Sequence, residues 1–435
     1  MRHSYSKIII HKILSIFILT LLNCQAYSID TIRMMHYNLM YYTTSTPSDC
    51  NGNEAYLQKK DENLKTVLHH VLPDVLCVCE MGSNITYVDR FRNNVLNTNG
   101  VDYYSSCPLT NYSGGTIANM LYYDNRKLAF HSHFYISTSY RDINAYKLYY
   151  KSPDLSHSDT VFITFLLAHL KAGSAASDKS AREVQVSKLL TTLEQRGQFE
   201  NFVFSGDFNL YGASEPAYQK LRYYDNTLFA FYDPLDKEGE WHNNGLFADL
   251  HTQSTHAQYE SGSCFASGGL DDRFDFILVS PFVYYGSYGV TSLNDSYHAV
   301  GQDGSRFNRD INNPSNTILP ANVANALFNA SDHLPVVMDL AIDATTSIFD
   351  NNRKELLLNV VNPIREKLSL TIHTEEEGDY NFQVFSLDGR CLQSFDYSLH
   401  TGANKIERPF PFSSSLYILI VSDSKGNKTA RKIVK

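Results

Sequence analysis

Apolar positions along this chain fall into two regimes. Between Ile32 and about Ala341, strand-like and helix-like stretches alternate. Leu64, Val67, Leu68, Val71 and Leu72 follow the i, i+3, i+4 spacing of a helix that buries one face. Pro73 stops that helix, and residues 75–78 begin a strand. Residues 161–170 form a nearly continuous apolar run, as in a central strand covered on both faces. Ser180 and Glu183 have the spacing of a capping box ahead of the stripe Val186, Leu189, Leu190 and Leu193, which predicts a second helix. Residues 202–204, 274–279 and 336–340 read as further strands, and residues 211–265 as loop-rich. The mixture predicts an α/β domain of sheets flanked by helices. After Ala341 the pattern changes. Residues 342–354 are polar and read as a linker, and no helical period follows. Leu368, Leu370 and Ile372 alternate, as do Leu416, Ile418 and Ile420. Asp388-Gly389 and Gly426-Asn427 are hairpin-turn signals, so residues 355–435 predict a small all-β sandwich.

Within the first regime, polar side chains end or interrupt apolar runs six times. Asn38 closes Met35-His36-Tyr37, Glu80 closes residues 75–79, and His169 sits in Leu167-Ala168-His169-Leu170. Asp207 and Asn209 lie in Ser205-Gly206-Asp207-Phe208-Asn209, Asp275 interrupts residues 274–279, and Asp332-His333 follows Ser331. Each has a plainer reading alone: a turn asparagine, an exposed strand end, a satisfied core histidine, an Asx turn. Buried polar groups cost free energy unless something satisfies them, however. Six such cases imply strand ends that converge on one site. Carboxylates, amides and imidazoles are the donor set for a hard divalent cation acting on a phosphate ester. Gly206 lets the backbone turn or approach closely beside Asp207. Asp275 is the only charge in its apolar hexapeptide and needs a partner, for which His333 is available. His69, His70, His242 and His298 have no such context and read as surface or loop residues.

Composition narrows the class. The 435 residues exceed one ordinary core, and 43% hydrophobic with 19% charged residues describes a globular protein. A net charge of −9 argues against tight, salt-resistant nucleic-acid binding through a basic face. It leaves open an enzyme whose affinity comes from a metal and a few cationic side chains. Residues 1–26 read as a signal peptide: Arg2, Lys7 and Lys12 precede the apolar run 13–22, which is too short to span a bilayer, and Ala26 suits cleavage. Export permits disulfides. Cys50 and Cys107 lie in polar loop sequence and are candidates to pair, although six cysteines allow fifteen connectivities. Cys77 and Cys79, two apart on one strand face, read as small core residues.

The motifs together resemble the endonuclease/exonuclease/phosphatase superfamily, the DNase I-like fold. Its pattern stands here as Asn38, Glu80, Gly206-Asp207-Phe208-Asn209, Arg273-Phe274-Asp275-Phe276 and Ser331-Asp332-His333, in order across residues 29–341. His169 in His-Leu-Lys-Ala-Gly resembles the family's other active-site histidine. The resemblance implies a four-layer αββα sandwich and hydrolysis by in-line attack of water with Mg²⁺, Mn²⁺ or Ca²⁺ as cofactor. It implies that Glu80 holds the metal with Asn38 and Asp332 close by. Asp207 would orient or activate water, and Asn209 would hold the phosphate. His333, paired with Asp275, and His169 would stabilise developing charge. Departures exist. Gly82 stands where DNA-acting members often carry Arg or Lys, and the Asn-x-Asp of abasic-site endonucleases is absent. Leu270-Asp271-Asp272-Arg273 replaces the Trp-Cys-Asp-Arg of inositol-polyphosphate phosphatases. The tail resembles a type A C-terminal sorting domain of the type IX secretion system. The resemblance rests on Val361-Asn362-Pro363, Leu368-Ser369-Leu370, residues 384–390, Leu416-Tyr417-Ile418 and the terminal Arg431-Lys432-Ile433-Val434-Lys435.

The leading expectation is a secreted or cell-surface, monomeric phosphodiesterase that cuts extracellular nucleic acid. It would be exported by the signal peptide and the type IX machinery, with no stable membrane span. A sphingomyelinase-like phospholipid phosphodiesterase shares the same parts, and Tyr284-Tyr285 would be an aromatic membrane contact. A non-catalytic surface-binding protein on this fold is the third reading. It has no need of Glu80, Asp207, Asn209, Asp275 and His333 together.

Overall fold

The computed structural model describes residues 30–43, 54–152, 155, 160–198, 200–259, 264–344, 357–361, 364–386, 390–413, 416–424 and 428–435. The signal segment, most of the linker, Cys50 and both C-terminal turn dipeptides lie outside the described residues.

The first unit contains strands β1 (Asp30–Tyr42), β2 (Val75–Gly82), β3 (Tyr104–Ser106), β4 (Ile117–Asp124), β5 (Leu128–Ile136), β6 (Ile143–Tyr150), β7 (Phe162–His169), β8 (Phe202–Asp207), β9 (Asp275–Val279), β10 (Val290–Ala299) and β11 (Val336–Ile342). Its helices are α1 (Glu54–Val71), α2 (Ile85–Phe91), α3 (Ala176–Arg196), α4 (Pro216–Arg222), α5 (Pro281–Tyr285) and α6 (Ala321–Ala330). One sheet runs β10-β11-β1-β2-β4-β3 and the other β5-β6-β7-β8-β9.

Period-two alternation decides which side of the second sheet each residue covers. Phe165, Leu167, Val203, Ile277 and Val279 point into the core shared with the first sheet. Leu166, Ala168, Phe202, Phe204, Phe276 and Leu278 point the other way, onto Val186, Leu189, Leu190 and Leu193 of α3. Leu64, Val67, Leu68 and Val71 of α1 cover the outer face of the first sheet. The result is the four-layer αββα sandwich that the resemblance implies. Beyond it, two antiparallel sheets over residues 357–434, of three and four strands, enclose a separate apolar core that includes Leu368, Leu370, Ile372, Phe382 and Leu419.

Three expectations need correction. The helix α3 starts at Ala176, because Asp178 reaches back and accepts from the Ala175 amide at 3.2 Å; Ser180 and Glu183 therefore lie inside it. Cys107 is a free, buried thiol, as are Cys77 and Cys79, so Cys107 has no bond to Cys50. Cys264 is the described cysteine that is disulfide-bonded. Tyr284 and Tyr285 do not form a free loop: they lie on α5 against Tyr232, with ring centroids 4.7 and 5.5 Å away. No helix among the described residues is long and apolar enough to cross a membrane.

Candidate active site

Register builds the first half of the site. In the second sheet His169 lies opposite Asp207, and Asp207 opposite Asp275, so the three form one row across β7, β8 and β9. All three share the face of Phe165, Val203 and Ile277 and so point at the other sheet. The strands can approach this closely because of Gly206, where an added Cβ would lie 2.1 Å from the Ala168 carbonyl oxygen.

The first sheet supplies the other half, with irregular backbone. The β1–β2 register breaks between Asn38 and Tyr42, and the β2–β4 register between Val78 and Met81. Met40, Tyr41 and Glu80 take left-handed φ values of 47°, 53° and 57°, and Asn209 across the site 51°. Side chains larger than glycine are strained there, and bulges of this kind re-aim side chains at functional sites. Here they bring the Glu80 carboxylate to the Asn38 amide, with Nδ2 donating at 3.1 Å, and to the Tyr41 N–H at 2.9 Å. Lys60, buried on α1, donates to the Met40 carbonyl at 2.6 Å and holds the same turn.

The eight sequence-predicted residues converge. Glu80, His169, Asp207, Asn209, Asp332 and His333 line one cavity of about 390 Å³, together with Tyr41, Arg141, Tyr211, Gln253, Phe265 and Phe274. Asn38 and Asp275 sit just behind them, at 0% and 1% exposure. Asn38 is a bridge: Nδ2 also donates to Asp207 Oδ2 at 3.0 Å, while Oδ1 accepts from the Met40 amide at 2.8 Å. The backbone N–H can only donate, so the asparagine oxygen is committed to it and the amide nitrogen faces the carboxylates. Asn209 donates to Asp207 Oδ1 at 2.8 Å. His333 Nδ1 lies 2.7 Å from Asp275 Oδ2, and its Nε2 lies 3.8 Å from Asp207 Oδ2. Ser331 stitches this loop to β1, its hydroxyl donating to the Asn38 carbonyl at 2.7 Å and accepting from the His333 amide. Asp332 Oδ2 accepts from the Ala266 amide at 3.0 Å.

Burial pushes the Asp207 carboxyl up to about 7, although His333 opposes it; Asp275 and Glu80 add to the rise. Glu80 is raised by burial and by Asp332. For His333, burial disfavours the charged ring, but Asp275, Asp207 and Asp332 outweigh it and hold the imidazole well above its ordinary value. The carboxylates around His333 thus favour its charged form. Gln253 Nε2 lies 2.7 Å from His333 Nε2 and donates to Asp332 Oδ2 at 3.3 Å. His169 goes the other way: burial, then the Arg141 charge, hold it well below the usual imidazole range.

A divalent cation fits this donor set. Ligand atoms of Glu80, His169 and Asp207 all lie within 4.8 Å of one another. The buried His169 Nδ1 has no hydrogen-bond partner among the described residues and lies 3.8 Å from Glu80 Oε1. Two buried carboxylates this close need a positive charge between them. A second group, His242 with Asp271 and Asp272, gathers nearer the surface, with His242 Nδ1 2.7 Å from Asp272 Oδ1. It gives His242 a partner that its loop position did not suggest.

Sequence reasoning missed Arg141 and Gln253. Arg141 donates through Nε and Nη2 to the carbonyls of His169 and Leu170, at 2.9 and 2.7 Å, and has no acid partner among the described residues. Its only sequence signal is its place just before the alternating run Ile143-x-Ala145. Arg273, part of the motif, is structural: it is buried and grips Asp233 with two bonds, at 2.7 and 3.0 Å.

The chain matches no family model, and no curated protein matches it. Among solved structures it is similar to an endonuclease/exonuclease/phosphatase from Beutenbergia cavernae DSM 12333, with 13% identity, 93% of this chain and 100% of that chain covered, and a TM-score of 0.41. It is similar to D. rerio TDP2 complexed with single strand DNA product (14%, 72% and 99%, TM-score 0.43). It is also similar to the human Nocturnin catalytic domain with bound sulfate anion (14%, 72% and 95%, TM-score 0.41). At these values the likeness carries no argument about chemistry, which rests on the geometry above.

Proposed function

We propose that this chain is a metal-dependent phosphodiester hydrolase that cuts nucleic acid by in-line attack of water. The observation that carries the reading is the closure of two half-sites in one cavity. The row His169, Asp207 and Asp275 on one sheet faces Asn38, Glu80, Asp332 and His333 from the other.

Glu80 and Asp207, with His169 beside them, would hold the cation, which neutralises charge on a bound phosphate. The Asp207 carboxylate would also orient an attacking water or take a proton from it. Protonated His333, fixed through Nδ1 by Asp275, presents Nε2 to the charge that builds on the phosphoryl oxygens. Arg141 adds a fixed cation at the cavity wall. Asn38 keeps Glu80 and Asp207 at a set separation by bonding to both.

The test is incubation of the purified chain with plasmid DNA and Mg²⁺, with EDTA and His333→Ala as controls. Nicking that needs the metal and is lost in the variant supports the reading. Failure of the folded protein to cut either plasmid or single-stranded DNA, or an active His333→Ala variant, overturns it. The same reading takes the protein as exported, with residues 355–435 as its sorting domain. Secretion of a reporter fused to those residues tests that part.

A further inference from the structure

Two strands away from His169 in the same sheet, outside the lining of the cavity, lies an aromatic shelf that the hydrolytic chemistry does not use. Tyr112 and Tyr135 stack face to face, with ring centroids 4.0 Å apart and planes 16° from parallel. Their exposures are 63% and 39%, and Tyr140 close by in sequence is 45% exposed. A stacked pair hides one face of each ring and leaves the outer faces to water. A third ring, added in the same direction, would bury apolar surface that the protein alone leaves wet.

The shelf is joined to the active site through Arg141 and its neighbour. The buried carboxylate of Asp142 accepts from the Tyr112 and Ser113 amides, at 2.5 and 2.9 Å, and so pins that loop to the start of β6. Asn144 fastens the same loop from inside by donating to Thr110 Oγ1 at 2.8 Å. Arg141 lines the cavity and is tied to the carbonyls of His169 and Leu170. Tyr135 lies opposite Asn144, and Asn144 opposite Leu167, two residues before His169. Tyr135 is thus two strand spacings, roughly 10 Å, from the strand of His169. Arg141, a cation for phosphate with no acid partner among the described residues, and exposed rings for bases, at the edge of one sheet, make a single-strand binding platform.

We propose that Tyr112 and Tyr135 form a base-stacking subsite for a nucleotide flanking the scissile phosphodiester, which makes single-stranded nucleic acid the substrate class. This rests on the hydrolase reading above but is tested separately from it. Fluorescence anisotropy would measure binding of a labelled short oligothymidylate to the His333→Ala protein in Mg²⁺. The control oligonucleotide has the same length and backbone but tetrahydrofuran abasic residues. The expected result is tighter binding of the base-bearing strand, and roughly 5- to 100-fold weaker binding on Tyr112→Ala or Tyr135→Ala. Tyr112→Phe, which keeps the ring, should bind like the parent.

Equal affinity for the two oligonucleotides, no measurable binding of either, or alanine variants that bind like the parent would overturn the subsite. Tyrosine-dependent binding to sphingomyelin vesicles in place of oligonucleotide would also overturn it. Hydrolysis of single-stranded DNA together with equal binding of the base-bearing and abasic strands sinks the subsite alone. Base-dependent binding without any hydrolysis by the unaltered protein sinks the hydrolase reading alone.

Discussion

Asp275→Asn is the sharpest test of the proposed chemistry. The substitution keeps shape and removes one charge. Asp275 Oδ2 stands 2.7 Å from His333 Nδ1, and both residues are almost wholly buried. With charge centres about 4 Å apart and an effective dielectric of about 20, the attraction is about 4 kcal/mol. That is roughly a thousandfold in rate if the reaction uses the His333 cation. The fold should tolerate the change. The new amide nitrogen would take the place of Oδ1, which has no hydrogen-bond partner among the described residues and lies 3.8 Å from His36 Nε2, and its oxygen can still receive Nδ1–H. The assay is kcat and KM for bis(p-nitrophenyl) phosphate across pH 5 to 9, with thermal unfolding as the control for structure. The expected outcome is a kcat about three orders of magnitude lower, with KM little changed. A correctly folded Asp275→Asn protein whose kcat stays within tenfold of the parent would refute the argument that this carboxylate powers His333.

Other outcomes follow from the same geometry. Asp233→Ala leaves the buried Arg273 charge without its two bonds and should cost about 3–5 kcal/mol, read as a lower Tm by calorimetry. Gly206→Ala should cost about 1–3 kcal/mol and depress activity, because a Cβ would meet the Ala168 oxygen at 2.1 Å and push Asp207 out of its row; unchanged stability would show that the strands part freely. In metal-free protein, Asp207 binds its proton more tightly folded than unfolded, since burial raises it to about 7. The folded state then holds more protons between about pH 4 and pH 7, so stability falls as pH rises through that window. Asp207→Asn should flatten that fall in urea titrations at several pH values, and an unchanged slope would assign it to another group.

How much of this was legible in the sequence depends on backbone regularity. His169, Asp207 and Asp275 share odd numbering with Phe165, Val203 and Ile277 on regular strands, so alternation alone assigns them to one face. Residues that reach the site on irregular backbone were less readable. Glu80 ends an apolar run, but its direction comes from a bulge and a left-handed φ that no side-chain pattern announces. Asn38 was expected close to the metal; that its oxygen also accepts from Met40 N–H, a local bond, depends on the turn that follows. Arg141 and Gln253 come from segments without an apolar period, and only the folded chain brings them to the cavity. The Ser180–Glu183 spacing is real but was outcompeted by Asp178, whose bond to the Ala175 amide starts the helix earlier.

Three buried thiols give the molecule an internal clock. Cys77, Cys79 and Cys107 are free and sealed in the core, and burial pushes all three thiols up, Cys77 to about 12. Nucleophilic attack needs a thiolate and access, and the native state offers neither. A chromogenic disulfide reagent should therefore consume the exposed Cys391 at once and then wait for the sandwich to open. Under conditions where opening limits the reaction, the slow phase reports the lifetime of the folded domain in plain buffer, without denaturant or label.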